Sequence, residues 1–290
     1  MVRYHKIDVR LKAQQTNPHP FIGSTLRGAF GVSLKKVVCI NPAYSCEECF
    51  AKENCLFYDF FEAKNRAHRY RFDFELNPDN YNFTLYLFEE ATEKLPYVLS
   101  AVHKMLTEQG LGVRRETFTI DTITCNGKKV YQDGNFDLSG ITAQQFQINT
   151  IPEQIKLTFR TPLRMKYQNR LLNKKPPLEP LLYSIQNRLT EIKNEPKSKL
   201  TFQPHYHEKD AHVHFVDQTR RSNRQKTKLQ IGGIIGEITY DQIDEKSVIL
   251  LKLGEILGVG KQTVFGMGKI EVKDLGTIDR VAGNKYNHII

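Results

Sequence analysis

At 290 residues the chain is long for one compact domain and comfortable for two of about 145 each. Apolar residues at 40% and charged residues at 26% exclude a wholly disordered chain. No run approaches the roughly 18 apolar residues that span a bilayer. The start, Met1-Val2-Arg3-Tyr4-His5-Lys6, alternates like a strand and has no apolar signal core. The expected location is therefore the cytoplasm, with no membrane partner. Lys and Arg number 42 against 32 Asp and Glu, a net charge of +10. The stretch from Arg160 to Lys228 alone holds 16 basic and 6 acidic residues, the whole of the excess. Excess charge concentrated in this way points to a polyanionic partner. Nucleic acid is favoured over an anionic membrane surface, because no basic amphipathic helix accompanies the charge. Five cysteines, an odd number without an export signal, read as thiols or metal ligands.

In chain order, Ile7, Val9 and Leu11 alternate with Lys6, Asp8 and Arg10, which predicts a half-buried strand over Arg3 to Lys12. The loop Thr16-Asn17-Pro18-His19-Pro20 ends it. Leu26, Phe30, Leu34, Val37 and Val38 fall at helical spacing over Ser24 to Val38, with Arg27, Gly28, Gly31 and Lys35 on the opposite face. A cysteine-rich insertion over 39–62 follows. Tyr70 to Leu76 and Tyr81 to Leu87 alternate on either side of Asn77-Pro78-Asp79-Asn80 and predict a hairpin. Leu95 to Gln109 predicts a second helix stopped by Gly110, and Glu116 to Cys125 a strand. The order is β-α-β-β-α-β, the ferredoxin-like unit. It recurs: a strand at Ile155, Leu157 and Phe159, a helix through Leu181, Leu182, Ile185, Leu189 and Ile192, and strands at His212 to Val216 and Leu229 to Tyr240. A helix over Ser247 to Leu257 and a strand over Val264 to Val272 complete it. The expected fold class is α+β: two tandem ferredoxin-like domains over 1–149 and 150–290, the insertion lying in the first.

Three segments carry chemistry. Cys39, Cys46, Cys49 and Cys55 follow C-x6-C-x2-C-x5-C, and four thiolates so close can wrap one tetrahedral zinc ion. An iron–sulfur cluster satisfies the same set, and buried thiols or a redox loop are plainer readings. With every position protein-filled, the metal's expected role is structural. The loop 258–269 contains Gly258, Gly260, Gly266 and Gly268 together with Lys261 and Lys269. It is not a Walker loop, since Gln262 follows Lys261 and the loop leads from a helix into a strand. Its glycines permit close backbone approach to another chain or to phosphates, the alternative being a tight connection packed on its own domain. The run Arg220-Arg221-Ser222-Asn223-Arg224-Gln225-Lys226-Thr227-Lys228 offers guanidinium forks and ammonium groups to phosphates, with a solvated charge run as its alternative. His205, His207, His212 and His214 read as a polar surface ahead of a metal or RNA site, His103 as partly buried, and His5 and Cys125 as core. No Ser or Cys triad motif and no carboxylate pair with nuclease spacing is present.

Five stretches together resemble a known family: Leu26-Arg27-Gly28-Ala29-Phe30-Gly31, Cys55-x2-Tyr58-x2-Phe61-Glu62, Thr161-Pro162-Leu163, the Ser222 to Gly236 run and the glycine-rich loop. The family is that of the CRISPR-associated endoribonucleases that cut the repeat in precursor guide RNA, within the RAMP superfamily. The resemblance implies two RAMP domains of ferredoxin-like fold, CRISPR repeat RNA as partner, and other CRISPR effector subunits as further partners. It also implies cleavage without a catalytic cofactor. The ribose 2′-hydroxyl attacks the adjacent phosphate and leaves 2′,3′-cyclic phosphate and 5′-hydroxyl ends. Such an enzyme aligns the hydroxyl, removes its proton, protonates the leaving oxygen and offsets charge on the phosphorane. Relatives often carry a histidine just before Val-Gly-Lys in the loop, where this chain has Gly258. The substitute base is His19, in the loop where the wider family places active residues, with Arg27 and Lys35 as charge partners. RNA contacts are expected from Arg220, Arg221, Arg224, Lys226 and Lys228, and from Gly258, Gly260, Lys261, Gly266 and Gly268. The absent loop histidine admits a second reading, a non-catalytic RAMP-fold RNA-binding subunit of a CRISPR effector complex.

Overall fold

Alternation along β1 (Arg3–Leu11) buries Ile7, Val9 and Leu11, as the sequence predicts. The computed structural model describes residues 2–64, 67–148, 150–222 and 227–276. The chain divides into two units, at Gln144 and Gln145, just before the expected seam. In the first unit, β1 is followed by α1 (Gly23–Val38), β2 (Tyr70–Asp73), β3 (Phe83–Phe88), α2 (Leu95–Lys104) and β4 (Ile120–Cys125). Two short strands, β5 (Lys128–Gln132) and β6 (Asn135–Phe136), extend the far edge. The sheet order is β2-β3-β1-β4-β5-β6, and the first four strands are antiparallel in the ferredoxin-like order. Ile7 pairs with Leu85 on one side and Cys125 on the other, so the middle of β1 is the middle of the core.

Helix α1 buries Leu26, Phe30 and Leu34, each such side chain contributing about 1.5–3 kcal/mol. The Phe30 ring meets Phe72 edge-on at 5.6 Å. Gly31 departs from expectation, because it is buried rather than on the open face. A Cβ there would lie 2.7 Å from the Phe61 ring, so a side chain from the insertion is packed onto the helix at this point. Helix α2 is regular only to Lys104, and a wider π-type turn over Met105–Gln109 precedes Gly110.

The second unit repeats the plan with β7 (Gln154–Leu163), α3 (Leu178–Ile192), β8 (His207–Ser222), β9 (Thr227–Asp241), α4 (Glu245–Leu257) and β10 (Ile270–Gly276). Its sheet order, β8-β9-β7-β10, is again ferredoxin-like. Ile155, Leu157 and Phe159 of β7 are buried, as are Leu181, Leu182, Ile185 and Leu189 of α3. At Gly254 the two helices come so close that a Cβ would lie 2.7 Å from Ile185. The Asp244 carboxylate caps α4 by accepting the Ser247 N–H at 3.0 Å. The last strand begins at Ile270, not Val264, because the chain first makes a 3₁₀ turn over Thr263–Phe265. Among the described residues no helix is long and apolar enough to cross a membrane.

Candidate nucleic-acid interface

Strands β8 and β9 pair continuously from His207 with Asp241 to Ser222 with Thr227. Strand β9 pairs with β7 only from Tyr240 to Ile234. Beyond Ile234, among the described residues, the hairpin is a two-stranded arm roughly 20 Å long at about 3.3 Å per residue. Arg220, Arg221 and Lys228 lie on this arm, where Arg220 pairs with Leu229 and Arg221 with Lys228. Arg224 and Lys226 lie outside the described residues. Elsewhere in the basic stretch some cations pair with acids: Arg160 with Glu271 at 2.6 Å, Lys197 with Glu191 and Lys193 with Glu195 at 2.7 Å, and Lys175 with Glu208. These surface pairs add little stability.

The glycine-rich loop is held by the end of β7. The Gly268 N–H donates to the Pro162 carbonyl at 3.1 Å, and the Thr161 hydroxyl donates to the Gly266 carbonyl at 2.7 Å. The Lys261 N–H donates to the Arg164 carbonyl at 2.7 Å, and the Gly260 N–H to the Ser184 hydroxyl at 3.0 Å. The Gly258 and Gly266 amides bond the carbonyls of Gly254 and Thr263. These backbone donors are therefore engaged within the second unit. What the loop exposes is the side chain of Lys261. Gly258 has φ 75°, a conformation in which a histidine would be strained. The absence of histidine there thus has a local physical reason. Arg164, which sequence reasoning missed, joins the two basic features. Its carbonyl holds Lys261, while its Nη1 donates to Gly232 at the base of the arm at 3.0 Å. The Thr161-Pro162-Leu163 motif was the available signal.

In the first unit His19 is exposed on the β1–α1 loop. Its Nδ1 lies 3.2 Å from the Phe21 backbone nitrogen. A backbone N–H can only donate, so Nδ1 accepts and the neutral ring carries its proton on Nε2. So held, the ring is a hydrogen-bond donor and not the proton acceptor expected of a base. Its proposed partners are engaged with the cysteine segment. The Arg27 guanidinium stacks 4.7 Å over the Phe61 ring. Lys35 Nζ donates to the Tyr44 carbonyl at 2.8 Å and lies 4.4 Å from the Tyr44 ring centroid. Burial pushes the Tyr70 hydroxyl up to about 12, with the Arg27 charge beside it acting in the opposite sense. These contacts tie both cations to an aromatic layer of the insertion.

Three further histidines make contacts within the protein. His5 is buried, its Nδ1 3.4 Å from Cys125 Sγ, and burial lowers the histidine pKa and raises the thiol to about 12. His103 sits against the rings of Tyr131 and Phe136. His212 Nε2 lies 3.0 Å from the Asp210 carboxylate on an exposed strand.

Cys39, Cys46, Cys49 and Cys55 are half-buried and line a single cavity of about 320 Å³. Burial raises the Cys46 pKa, and the neighbouring Cys55 and Cys39 raise it further, while Lys35 lowers it. Their chemistry suits zinc. Among the described residues, however, no three His, Cys, Asp or Glu side chains converge closely enough to hold a metal ion.

Residues 2–146 match the AF_1859 N-terminal domain, and residues 157–270 match the CRISPR-associated endoribonuclease Cas6 domain. An uncharacterized protein of Archaeoglobus fulgidus is 25% identical over 298 residues, spanning 92% of this chain and 97% of its own. A Cas6 product complex superposes with a TM-score of 0.55 at 14% identity, covering 93% of this chain and 98% of the other. Thermus thermophilus Cas6 gives 0.51 at 14% identity, covering 94% and 98%. At such identities the superpositions speak for the fold, and they agree with the two ferredoxin-like units. The first half of the chain thus belongs to the family of the AF_1859 N-terminal domain, and the second unit carries the match to the CRISPR-associated endoribonuclease Cas6 domain.

Proposed function

We propose that this protein is a metal-independent endoribonuclease that cuts CRISPR repeat RNA to guide RNA by 2′-hydroxyl attack. The 2′-hydroxyl gives up its proton to solvent as its oxygen bonds the adjacent phosphorus, the bond to the 5′-oxygen breaks, and that oxygen takes a proton in return, so that protons balance. The products are a 2′,3′-cyclic phosphate and a 5′-hydroxyl. The observation that carries the reading is the junction at Arg164, which ties the exposed Lys261 loop to the base of the basic arm within the Cas6 domain. Arg220, Arg221 and Lys228 of that arm, with Lys261, would hold the stem by its phosphates, a recognition of shape suited to double-stranded RNA. His19 would offer its Nε2–H to a phosphate oxygen on which charge develops. The test is incubation of the purified protein with its repeat RNA in excess EDTA, followed by mapping of the ends. A single cut leaving a cyclic phosphate is expected. Tight binding without any cut would instead establish the non-catalytic carrier subunit.

The four cysteines enter the proposal as a structural zinc site. To fill it, the thiols would draw together across their shared cavity and lose their protons on binding. Native protein is expected to carry one zinc per chain, released when the thiols are modified with a mercurial. Metal-free native protein of unchanged thermal stability would remove zinc from the proposal and leave the RNA chemistry intact.

A further inference from the structure

Between α2 and β4 the chain makes a tight turn that the reading above does not use. The Leu111 N–H donates to the Glu116 carbonyl at 2.8 Å, and the Glu116 N–H returns a bond to the Leu111 carbonyl at 3.0 Å. Leu111 and Phe118 are buried, and the Phe118 ring packs edge-on against Tyr81 at 5.3 Å. Anchored in this way, the turn holds Val113, Arg114 and Arg115 out in solvent, and Val113 is fully exposed. Among the described residues neither arginine forms an ion pair. Arg115 has φ 51°, a strained value for a residue with a side chain, fixed by the reciprocal bonds around it.

The turn faces the β1–α1 loop, the loop that carries His19. Gln15, Thr16 and Asn17 from that loop, Tyr81, and Gly112, Arg114 and Glu116 from the turn surround an open cavity of about 670 Å³. Sites for small ligands occupy about 300–1,000 Å³. The loop is tied in place on this side. The Thr16 hydroxyl donates to the Asp79 carbonyl at 3.3 Å, and the Gln14 amide to the Thr117 carbonyl at 3.4 Å. The lining combines the Arg114 guanidinium, side-chain amides, a hydroxyl and one carboxylate, Glu116, and the exposed Arg115 follows Arg114 in the turn. Two adjacent unpaired arginines suit phosphate oxygens, which they grip as forks. The amides suit a sugar or a base edge, and Val113 gives a base an apolar surface to lie on.

We propose that this cavity is a subsite for one unstacked, single-stranded nucleotide of the RNA, with Arg114 and Arg115 taking its flanking phosphates. The subsite rests on the RNA-processing reading and extends it. It gives the first unit a phosphate grip of its own, across the cavity from the loop that carries His19, whereas the arm and Lys261 belong to the second unit. The experiment measures affinity for repeat RNA against salt concentration for the wild type, Arg114→Ala/Arg115→Ala and Arg114→Lys/Arg115→Lys. The alanine pair is expected to bind more weakly and to lose about 0.7 from the logarithmic salt slope for each single-strand phosphate released. The lysine pair keeps the charge and is expected to keep most of the slope. Equal thermal stability of the variants shows that the turn still folds. Wild-type affinity and slope in the alanine pair overturn the subsite while leaving the processing reading in place. A wild type that neither binds nor cuts repeat RNA overturns that reading, and the subsite with it.

Discussion

Gly268→Ala is expected to destabilise the second unit by about 3 kcal/mol or more, lowering its urea midpoint and abolishing RNA binding at the temperature where the wild type functions. A Cβ at this position would lie 1.8 Å from the Val259 carbonyl oxygen and 2.9 Å from its carbon. That carbonyl belongs to backbone, so no side-chain rotation relieves the clash. The φ of 68° adds roughly 1–2 kcal/mol for any residue with a Cβ. The hydrogen bonds from Gly268 to Pro162 and from Val259 to Gly268 are what close the loop onto β7, and both would be strained. Gly28→Ala makes a useful contrast. Nothing lies within 4 Å of a Cβ there, so alanine inside α1 is expected to stabilise by up to about 1 kcal/mol. Lys261→Ala separates the loop's two roles, since it should leave stability unchanged and weaken RNA binding alone. A Gly268→Ala protein with the wild-type urea midpoint would show that the loop can move away from β7 at little cost. Its hydrogen bonds would then not be what positions Lys261.

The fold was legible where burial alternates cleanly. Ile7, Val9 and Leu11 in β1 and Ile155, Leu157 and Phe159 in β7 are central strands with one face in the core, and the period of two shows it. Strands β5 and β6 gave no such signal. Lys128–Gln132 is a short edge segment, mostly exposed, and its pairing is set by β4 rather than by its own pattern. Val264 looks like a strand residue, whereas Gln262 in a left-handed conformation begins a turn that only the packing on β7 imposes, so β10 starts later than the sequence pattern predicts. The helical spacing of α1 alone puts Gly31 on an open face. Phe61, thirty positions further along the chain, covers it. The candidate site was legible in its components and not in their grouping. The basic run and the glycine-rich loop announce themselves by composition, but their meeting at Arg164 depends on a carbonyl and one guanidinium nitrogen. Arg27 and Lys35 share a helix face with no sign in the sequence that aromatic rings of the insertion would hold them.

His19→Ala is expected to slow single-turnover cleavage of repeat RNA in EDTA by about 10²–10³-fold while leaving the dissociation constant unchanged. That is the effect typical of losing one donor to a developing oxyanion. The structure makes a finer prediction about the kind of help His19 gives. With Nδ1 accepting from the Phe21 amide, Nε2 carries the proton, and a neutral ring in that tautomer can donate a hydrogen bond but not accept the 2′-hydroxyl proton. To serve as the base, the ring must first release Phe21. Glutamine distinguishes the two cases, because its amide N–H can donate to the phosphorane and cannot take up a proton at neutral pH. His19→Gln is therefore expected to recover most of the activity lost in His19→Ala. If both variants are equally slow, the ring transfers a proton and the bond to Phe21 must open during turnover. If both cut at the wild-type rate, His19 is a turn residue and charge on the phosphorane is offset from elsewhere. Arg114→Ala/Arg115→Ala, measured in the same assay, then shows whether the adjoining turn supplies that charge, because a phosphate grip used only for binding would change affinity and leave the single-turnover rate at saturation intact.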